Sequence, residues 1–225
     1  MDHRFDALYL SFENHFRGRR SEIKKRLAFY LPFLAATDAG RADRPILDLG
    51  CGRGEWLELL KEANLESGGV DLNSMMVAQC HERGLKVTEE DVLRYLRSLP
   101  DDSIGAITGF HIIEHLPFEV LVDLVAESHR VLKPGGLVTF ESPNCKNLVV
   151  GASNFHIDPT HRSPVFPETA QFILDIQGFE RVELKYLAPV EGTPFESKTR
   201  EATVLNEMFY GPQDFAVVGY KSASR

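Results

Sequence analysis

The sequence has 225 residues, 43% of them hydrophobic and 26% charged, which is enough to bury one globular core. Its formal net charge of −8 argues against a protein that binds nucleic acid through a general basic face. Its three cysteines include no C-x-x-C pair, which argues against a disulfide framework and against a cysteine zinc site.

The sequence also lacks signals for export or membrane insertion. Its first residues carry neither the basic region nor the apolar core of a signal peptide. No apolar run approaches the roughly 18–20 residues that a membrane span needs. We therefore expect a cytoplasmic chain without a membrane span, for which peripheral attachment to a membrane-associated assembly remains open.

The first part of the chain, residues 1–40, predicts a helical extension. Its aromatic residues lie among charges and a basic cluster follows them: Phe5, Tyr9, Phe12 and Phe16, then Arg17, Arg19 and Arg20. Ser21 is a suitable cap for a helix that runs to about Ala36, with a kink or an early end at Pro32. We expect the extension to pack on the main domain, residues 41–225, with its arginines facing either solvent or an anionic group.

From Pro45 onward the chain alternates short apolar runs with helix-like segments. The predicted strands are Ile46–Leu49, Gly68–Asp71, Leu85–Thr88, Ile104–Phe110 and Gly136–Glu141. The predicted helices between them are Gly54–Ala63, Ser74–Arg83, Val92–Arg97 and Phe118–Val131. Such alternation is typical of parallel βαβ units, with helices on both faces of the sheet and ligands at the carboxyl ends of the strands.

Beyond the fifth strand the alternation ends. Val150–Val165 predicts a long polar loop, and a helix is predicted over Pro167–Gln177. Two strands, Phe179–Leu187 and Phe215–Tyr220, flank a segment predicted to be irregular, Ala188–Pro212. The two strands would form a hairpin that completes a seven-stranded α/β sheet.

The central stretch of the chain is Pro45–Gly54, which reads P-I-L-D-L-G-C-G-R-G. A short apolar run between proline and glycine predicts a buried strand. Gly50, Gly52 and Gly54 then allow a turn with positive φ that leaves no side chain in the way of a ligand. Because the following helix points free N–H groups at that place, the stretch predicts a nucleotide-like ligand.

Carboxylates at three strand ends indicate which nucleotide. Asp48 lies inside the first strand, where it suits a ligand that carries an ammonium group. Asp71 ends the second strand at the place of a ribose-binding carboxylate, and Glu90–Val92 ends the third strand and suits an exocyclic amine. The glycine spacing is G-x-G-x-G rather than the G-x-G-x-x-G of dinucleotide sites, and no P-loop lysine follows it.

Four motifs in this order resemble those of the class I S-adenosylmethionine-dependent methyltransferases. They are Asp48–Gly54, Gly69–Leu72, Glu90–Val92 and Val131–Gly136. The resemblance implies a Rossmann-like seven-stranded sheet of order 3-2-1-4-5-7-6, whose last strand is antiparallel.

The same resemblance implies which residues hold S-adenosylmethionine. By matching position, Asp48 and Gly50 would face the methionine part and Asp71 the ribose. Asp91 and Val92 would face the adenine. The other expected cofactor contacts are Cys51, Gly52, Gly54, Leu72 and Phe110.

A dense polar group, His111-Ile-Ile-Glu114-His115, follows the fourth strand. On a helical turn its three polar side chains share one face, a spacing that metal ligands use. A hydroxyl acceptor must lose its proton to a base or near a metal ion, although the methyl donor is already activated. The group therefore supplies a base, holds a metal ion or has a purely structural role. We expect His115 to be the base or a ligand, with Glu114, His111 and the distant His161 beside it.

The metal hypothesis gains from a second resemblance. Glu114 and His115 with the later His161 are similar to the Glu-x-x-Glu-His and distal His pattern of small-RNA 2′-O-methyltransferases and quinone-pathway O-methyltransferases. That pattern holds a divalent ion. The present chain has His111 in place of the first Glu, which favours a softer metal than Mg²⁺.

A looser resemblance concerns the acceptor. Phe16–Gly18, Glu141–Leu148 and Asp158–Pro164 are similar to segments of methyltransferases encoded with bacterial surface-polysaccharide assembly. That resemblance implies transfer to a sugar hydroxyl of an O-antigen-type glycan, with residues 144–166 and 188–212 as substrate-side loops. A glycan is then the expected partner, and no nucleic acid is expected.

Three other functions remain as alternatives. An RNA 3′ end fits poorly with the charge of −8. A quinol asks for an apolar entrance, whereas residues 144–164 predict a polar loop. A catalytically inactive scaffold in a polysaccharide assembly complex is disfavoured by the intact Asp48, glycines and Asp71.

Overall fold

The computed structural model describes residues 3–192, 195 and 199–223 of the chain. The helices of these ranges are α1 (Asp6–Phe16), α2 (Arg20–Leu27), α3 (Leu31–Ala35), α4 (Glu55–Glu62), α5 (Ser74–Glu82), α6 (Val92–Ser98), α7 (Phe118–Val131), α8 (Leu148–Ala152), α9 (Pro167–Ile176) and α10 (Arg200–Tyr210). The strands are β1 (Ile46–Leu49), β2 (Ser67–Asp71), β3 (Val87–Glu89), β4 (Ile104–Phe110), β5 (Leu132–Pro143), β6 (Phe179–Pro189) and β7 (Pro212–Lys221). Among the described residues, no helix combines the length and apolarity that crossing a membrane requires.

The strands form one mixed sheet of order β3-β2-β1-β4-β5-β7-β6. The first five pair in parallel, and β7 is antiparallel to both β5 and β6. The predicted Rossmann-like sheet with an antiparallel last strand is therefore confirmed. Because the strand order reverses between β1 and β4, the carboxyl ends of these two strands border the crevice where such sheets bind ligands.

Strand β1 lies at the centre of two apolar clusters, one on each face of the sheet. Ile46 packs with Trp56 in the cluster beneath α2 and α4. Leu47 and Leu49 pack with Leu124 in the cluster beneath α6 and α7. A strand covered on both faces reads as a continuous apolar run, which is why four residues sufficed to predict it.

The glycine turn after β1 requires residues without side chains. Gly50, Gly52 and Gly54 have φ angles of +64°, +51° and +78°. A Cβ atom on Gly50 would lie 2.8 Å from the Ile112 side chain, and one on Gly54 would lie 2.7 Å from Cys80 Sγ. The turn thus depends on glycine both for its backbone conformation and for the close approach of its neighbours.

Two helices occur where irregular chain was predicted. Helix α8 falls in the predicted polar loop, and Asn147 caps it by accepting hydrogen bonds from the N–H groups of Val149 and Val150. Helix α10 falls in the predicted irregular segment, and Thr199 caps it through Ala202 N–H. Ala202 is the residue of α10 that is buried, so most of this helix lies at the surface.

The long helix predicted from Ser21 to Ala36 is divided. Helix α2 begins one residue earlier, after Arg19, and no side chain caps it. A 3₁₀ turn over Ala28–Tyr30 then leads into α3, which carries Pro32 in its first turn. Proline is tolerated there because the first N–H groups of a helix have no partner within it, so the predicted break at Pro32 is confirmed.

Arg53, inside the glycine turn, anchors the end of α1. Its guanidinium donates to the carbonyl oxygens of Glu13 and Gly18 at 3.4 and 3.2 Å, and to Asn14 Oδ1 at 3.1 Å. It also forms an ion pair with Glu55 at 2.8 Å, and both side chains of that pair are about 95% buried. The N-terminal extension and the glycine turn therefore share one buried charge.

The basic cluster of the extension also faces the protein. Arg20 donates to the carbonyl oxygen of Arg53 at 2.8 Å and forms ion pairs with Glu55 and Glu58 at 3.2 and 3.0 Å. Arg17 forms an ion pair with Glu13 at 3.4 Å. Neither side chain is simply a solvated charge, which was one of the two expectations for the cluster.

We predict that Arg53→Met lowers the free energy of unfolding by about 3 kcal/mol, because it removes one partner of a buried ion pair. The matched control is Arg97→Met, whose ion pair with Asp123 has both side chains 54% exposed. The control change is expected to cost less than about 1 kcal/mol. Urea denaturation followed by circular dichroism measures both values, and equal losses in the two variants would contradict the buried anchor.

Candidate functional site

Asp48 is a buried carboxylate at the centre of the crevice. It is 2% exposed, and one oxygen accepts a hydrogen bond from Thr108 Oγ1 on the neighbouring strand at 2.7 Å. Burial raises the pKa of Asp48 to about 7, although Thr108 and the positive charge of Arg17 oppose the shift. A carboxylate with so little compensation is a good partner for a cationic ligand.

Asp71 joins the end of β2 to the glycine turn. Its Oδ2 accepts from Gly52 N–H at 2.7 Å, and its Oδ1 accepts from Asn73 N–H at 2.8 Å. Burial raises the pKa of Asp71 above its ordinary value, although these two backbone donors oppose the shift. Leu72 beside it is 47% exposed, so it offers an apolar surface next to the carboxylate.

The end of β3 lies beside Asp71. The backbone N–H of Glu90 donates to the Asp71 carbonyl oxygen at 3.1 Å. Asp91 caps α6 by accepting from Arg94 N–H at 2.9 Å, and Val92 is buried. The structure therefore brings the predicted ribose and adenine residues to adjacent strand ends.

Two other predicted cofactor residues have side chains that pack inside the protein. Cys51 is buried, and its sulfur faces β2, since a Cβ atom on Gly69 would lie 2.7 Å from it. Phe110 is buried at the end of β4, where its ring centroid lies 5.0 Å from that of Tyr30 and 5.5 Å from that of Trp56. The backbone N–H and carbonyl oxygen of Cys51 are hydrogen-bonded to Val70 and Gly54, and the Phe110 ring packs against Tyr30 of the extension.

His111 has an unusual backbone and a charged environment. Its φ angle of +55° turns the ring between two groups of carboxylates. Nδ1 lies 3.3 Å from Glu114 Oε1, and Nε2 lies 3.4 Å from Glu141 Oε1 and 3.9 Å from Asp214 Oδ1. Burial opposes the charge, but these carboxylates raise the pKa of His111 to about 10. A protonated imidazole has no lone pair, so in this arrangement His111 balances charge rather than acting as a base.

Glu114 is fully buried and incompletely hydrogen-bonded. Its Oε2 accepts from Ser142 Oγ at 3.0 Å, whereas its Oε1 has no hydrogen bond from the described residues and forms an ion pair with His111 Nδ1 at 3.3 Å. Burial opposes the negative charge, but contact with His111 holds the pKa of Glu114 below its ordinary value. The ion pair with His111 offsets part of the cost of burying this charge, and a ligand at Oε1 would offset more.

His115 and His161 lie beside that oxygen. Their ring centroids are 4.7 Å apart, and His161 Nε2 lies 3.8 Å from Glu114 Oε1. His161 Nδ1 lies 2.6 Å from the Phe155 carbonyl oxygen, so Nδ1 carries a proton and Nε2 is the nitrogen that faces Glu114. Burial lowers the pKa of His115 below its ordinary value, so this imidazole is neutral near pH 7.

The four residues predicted as a metal site divide into two groups. Glu114, His115 and His161 each offer a ligand atom, and the three atoms lie within 4.8 Å of one another. His111 forms a second such group with Glu141 and Asp214. His111 thus contacts Glu114 but belongs to the other group, whereas the sequence pattern predicted all four residues in one ligand set.

The second group contains residues that the sequence did not single out as site residues. The Tyr30 hydroxyl donates to Glu141, and Arg26 forms an ion pair with Asp214 at 2.7 Å. Glu141 ends a parallel strand, a position where chemistry is expected. Asp214 begins an antiparallel strand, so no rule about the carboxyl ends of strands would have found it.

The loop after β5 exposes apolar as well as polar side chains. Asn144 is buried, donating to the Pro212 carbonyl oxygen and accepting from Lys146 N–H, and Asn147 caps α8. Phe155 packs against His161 with a centroid distance of 4.5 Å. The exposed side chains of this loop include large apolar ones: Leu148, Val149 and Ile157.

Comparison with known proteins decides the family. A model of the methyltransferase domain family matches residues 46–136. The crystal structure of a SAM-dependent methyltransferase from Archaeoglobus fulgidus is 38% identical, with a TM-score of 0.83, and the match covers 95% of this chain and 99% of that one. The chain belongs to the class I S-adenosylmethionine-dependent methyltransferases. The cofactor of this methyltransferase is therefore S-adenosylmethionine.

Curated relatives match the methyltransferase over part of their length. A "probable S-adenosylmethionine-dependent methyltransferase" of Mycolicibacterium smegmatis is 28% identical over 171 residues, which cover 76% of this chain and 62% of the relative. A ubiquinone biosynthesis O-methyltransferase of Nitrosococcus oceani is 34% identical over 111 residues, 47% of this chain and 46% of the relative. The chain thus spans about half to three-fifths of the length of these curated relatives.

The crevice has glycines and carboxylates that suit this cofactor. A Cβ atom on Gly50 or Gly54 would collide with neighbouring side chains, so the tight turn requires glycine at both positions. Asp48 supplies a buried carboxylate, and the sulfonium of S-adenosylmethionine is a cation. Asp71 Oδ2 accepts from Gly52 N–H at 2.7 Å, so the predicted ribose carboxylate is fixed beside the turn.

We predict that the affinity of this methyltransferase for S-adenosylmethionine rises about tenfold between pH 6 and pH 8. Without ligand, burial raises the pKa of Asp48 to about 7, so the carboxyl is largely protonated at pH 6. A cationic ligand favours the carboxylate, so binding at pH 6 releases a proton. Calorimetry in two buffers of different ionisation enthalpy measures that proton.

The matched control is Asp48→Asn, which keeps the shape of the side chain and removes its titration. Its proton release on binding should be smaller than that of the wild type, and its affinity should depend less on pH. An identical pH dependence in both proteins would show that another group carries the linkage.

Proposed function

We propose that this methyltransferase transfers the methyl group to a hydroxyl oxygen, with a divalent ion held by Glu114, His115 and His161. One observation carries the proposal: Glu114, His115 and His161 each offer a ligand atom within 4.8 Å of the others, and the Oε1 of Glu114 has no hydrogen bond from the described part of the chain besides its ion pair with His111. A purely structural group would ordinarily satisfy that oxygen with a well-aligned donor.

The donor set supports an ion of intermediate softness. Two imidazoles and one carboxylate suit Zn²⁺, Mn²⁺, Fe²⁺ or Co²⁺ better than Mg²⁺, which prefers oxygen ligands. A divalent ion bound there would lower the pKa of an acceptor hydroxyl toward neutral pH. Ser142 holds the second oxygen of Glu114, and Phe155 holds the far nitrogen of His161, so two of the three side chains already have fixed orientations.

The remaining residues of the site position the cofactor and balance the buried charges. S-adenosylmethionine supplies a methyl group already activated on sulfur, so alignment is the main task of the protein. Asp48 on β1 attracts the cationic end of the cofactor. Strand β4 pairs with β1 and ends at Phe110, so His111 follows directly after the neighbouring strand. His111 holds Glu114 between the cofactor side and the proposed ion site.

The acceptor that the sequence favours is a sugar hydroxyl of an O-antigen-type glycan. Vicinal sugar hydroxyls bind divalent ions and donate hydrogen bonds to acceptors such as the Asp158 carboxylate. The proposal includes action in the cytoplasm, with attachment at the periphery of a membrane-associated glycan assembly complex.

A catechol or quinol is the second candidate, and two observations favour it. Leu148, Val149 and Ile157 are each at least 37% exposed in the loop that leads to His161. The N. oceani relative is a ubiquinone biosynthesis O-methyltransferase, with the match limited to about half of each chain. A vicinal sugar diol and a catechol each offer two neighbouring hydroxyls, so the shared chemistry is a metal-binding diol.

Methyl transfer from labelled S-adenosylmethionine distinguishes these acceptors. We expect label in one of two panels, bacterial glycans or catechols and quinols, and loss of that label after chelation with recovery on adding Mn²⁺ or Zn²⁺. Full transfer by metal-free, chelator-treated protein would refute the ion. Transfer only to an RNA 3′ end, or to none of the hydroxyl compounds, would refute the acceptor class.

We predict that His115→Ala and His161→Ala each lose at least about tenfold in turnover and in affinity for the ion, as loss of a metal ligand or its partner does. Affinity for S-adenosylmethionine should stay within about twofold, since neither side chain lies at the glycine turn. The matched control is His156→Ala, an exposed histidine of the same loop whose ring contacts Phe155. Equal behaviour of all three variants would remove the two histidines from the reaction.

A further inference from the structure

Helix α1 reaches His115 through a chain of side-chain hydrogen bonds. The Tyr9 hydroxyl donates to Asp158 Oδ2 at 2.9 Å. Asp158 Oδ1 accepts from Thr160 Oγ1 at 2.6 Å and from Thr160 N–H at 2.8 Å. Thr160 Oγ1 also lies 3.0 Å from His115 Nδ1, so this series of hydrogen bonds links the N-terminal extension to His115.

The direction of each hydrogen bond follows from the number of protons available. The Thr160 hydroxyl has one proton, and Asp158 as a carboxylate can only accept. Burial opposes the Asp158 charge, but its hydrogen bonds hold the pKa of that carboxyl below the ordinary value. Thr160 therefore donates to Asp158, and its oxygen accepts the proton of His115 Nδ1. The consequence is that His115 Nε2 carries a lone pair.

We propose that Tyr9, Asp158 and Thr160 are positioning residues that hold His115 in the tautomer with Nδ1 protonated and Nε2 free. A neutral imidazole without partners can carry its proton on Nδ1 or on Nε2, and only the first of these two tautomers leaves Nε2 free. What the free Nε2 then does, as base or ligand, rests on the function proposed above. The tautomer itself is a property of the unliganded protein.

Both ends of α1 are attached to loops that hold the cofactor. At its start, Asp6 Oδ2 accepts from Ser74 N–H at 2.9 Å and from Ser74 Oγ at 2.6 Å, and the Asp6 carbonyl oxygen accepts from Asn73. At its end, Arg53 of the glycine turn holds the carbonyl oxygens of Glu13 and Gly18. Tyr9 lies between these attachments, so the loop at Asn73 and Ser74 and the glycine turn together fix the position of the Tyr9 hydroxyl.

Nuclear magnetic resonance tests the tautomer without any acceptor or metal. Long-range proton–nitrogen spectra of the apo protein should show His115 with Nδ1 protonated. In Thr160→Val, which removes the hydroxyl, we expect the signals to move toward a mixture or toward Nε2 protonation, while Thr160→Ser keeps the wild-type pattern. An unchanged His115 pattern in Thr160→Val would overturn the proposal.

Kinetics test what the positioning contributes. Thr160→Val should lose about 10- to 100-fold in kcat, the range found when the partner of a ligating histidine is removed. Thr160→Ser should restore activity, and affinity for S-adenosylmethionine should stay within about twofold. Tyr9→Phe, which keeps the ring stacked on Phe12, should lose less, about three- to tenfold, because three hydrogen bonds separate the Tyr9 hydroxyl from His115.

The matched control is Thr169→Val, an exposed threonine of α9, which should leave both the spectrum and kcat unchanged. Equal losses in Thr160→Val and Thr160→Ser would contradict a role of the hydroxyl. If no hydroxyl compound accepts methyl but the His115 spectrum changes as expected, the proposed function fails and the positioning stands. If methyl transfer is found and the spectrum does not change, the positioning fails alone.

Discussion

The buried guanidinium of Arg53 is the interaction on which the rest of the site depends. It sits between two glycines of the cofactor turn, yet its partners lie on α1, on the chain after α1 and on α4. An arginine without these partners would not remain in the interior, so turn and extension must form together. The first helix of the sequence is therefore attached to the glycine turn itself.

The sheet was predictable because its information is local. Strands such as Ile46–Leu49 and Ile104–Phe110 are buried on both faces and are therefore mostly apolar. Each could be predicted from its own residues, without information about its neighbours. Parallel strands also end at one edge, which brought Asp48, Asp71 and Asp91 together as expected. The family motifs lie on these same strand ends, which is why cofactor and fold could be predicted together.

The rest of the site could not be predicted because its information is not local. Tyr9 and Asp158 are 149 positions apart in the sequence, and neither belongs to a motif that names the other. Asp214 reaches the site by the beginning of an antiparallel strand, against the rule for parallel ones. Composition also does not show which side chains a loop exposes: Asn144 and Asn147 are buried and satisfy backbone groups, while Leu148, Val149 and Ile157 are exposed.

The reversed direction of β7 has a practical consequence. The strand leaves the ligand edge at Asp214 and finishes at Lys221, which bonds to Asp102 and to the Arg130 carbonyl oxygen at the opposite edge of the sheet. At the other end of the chain, His3 lies 3.5 Å from Glu89, close to the cofactor strand ends. A surface linker, dye or purification handle attached after β7 therefore leaves the crevice open, whereas one placed before α1 would stand at its mouth.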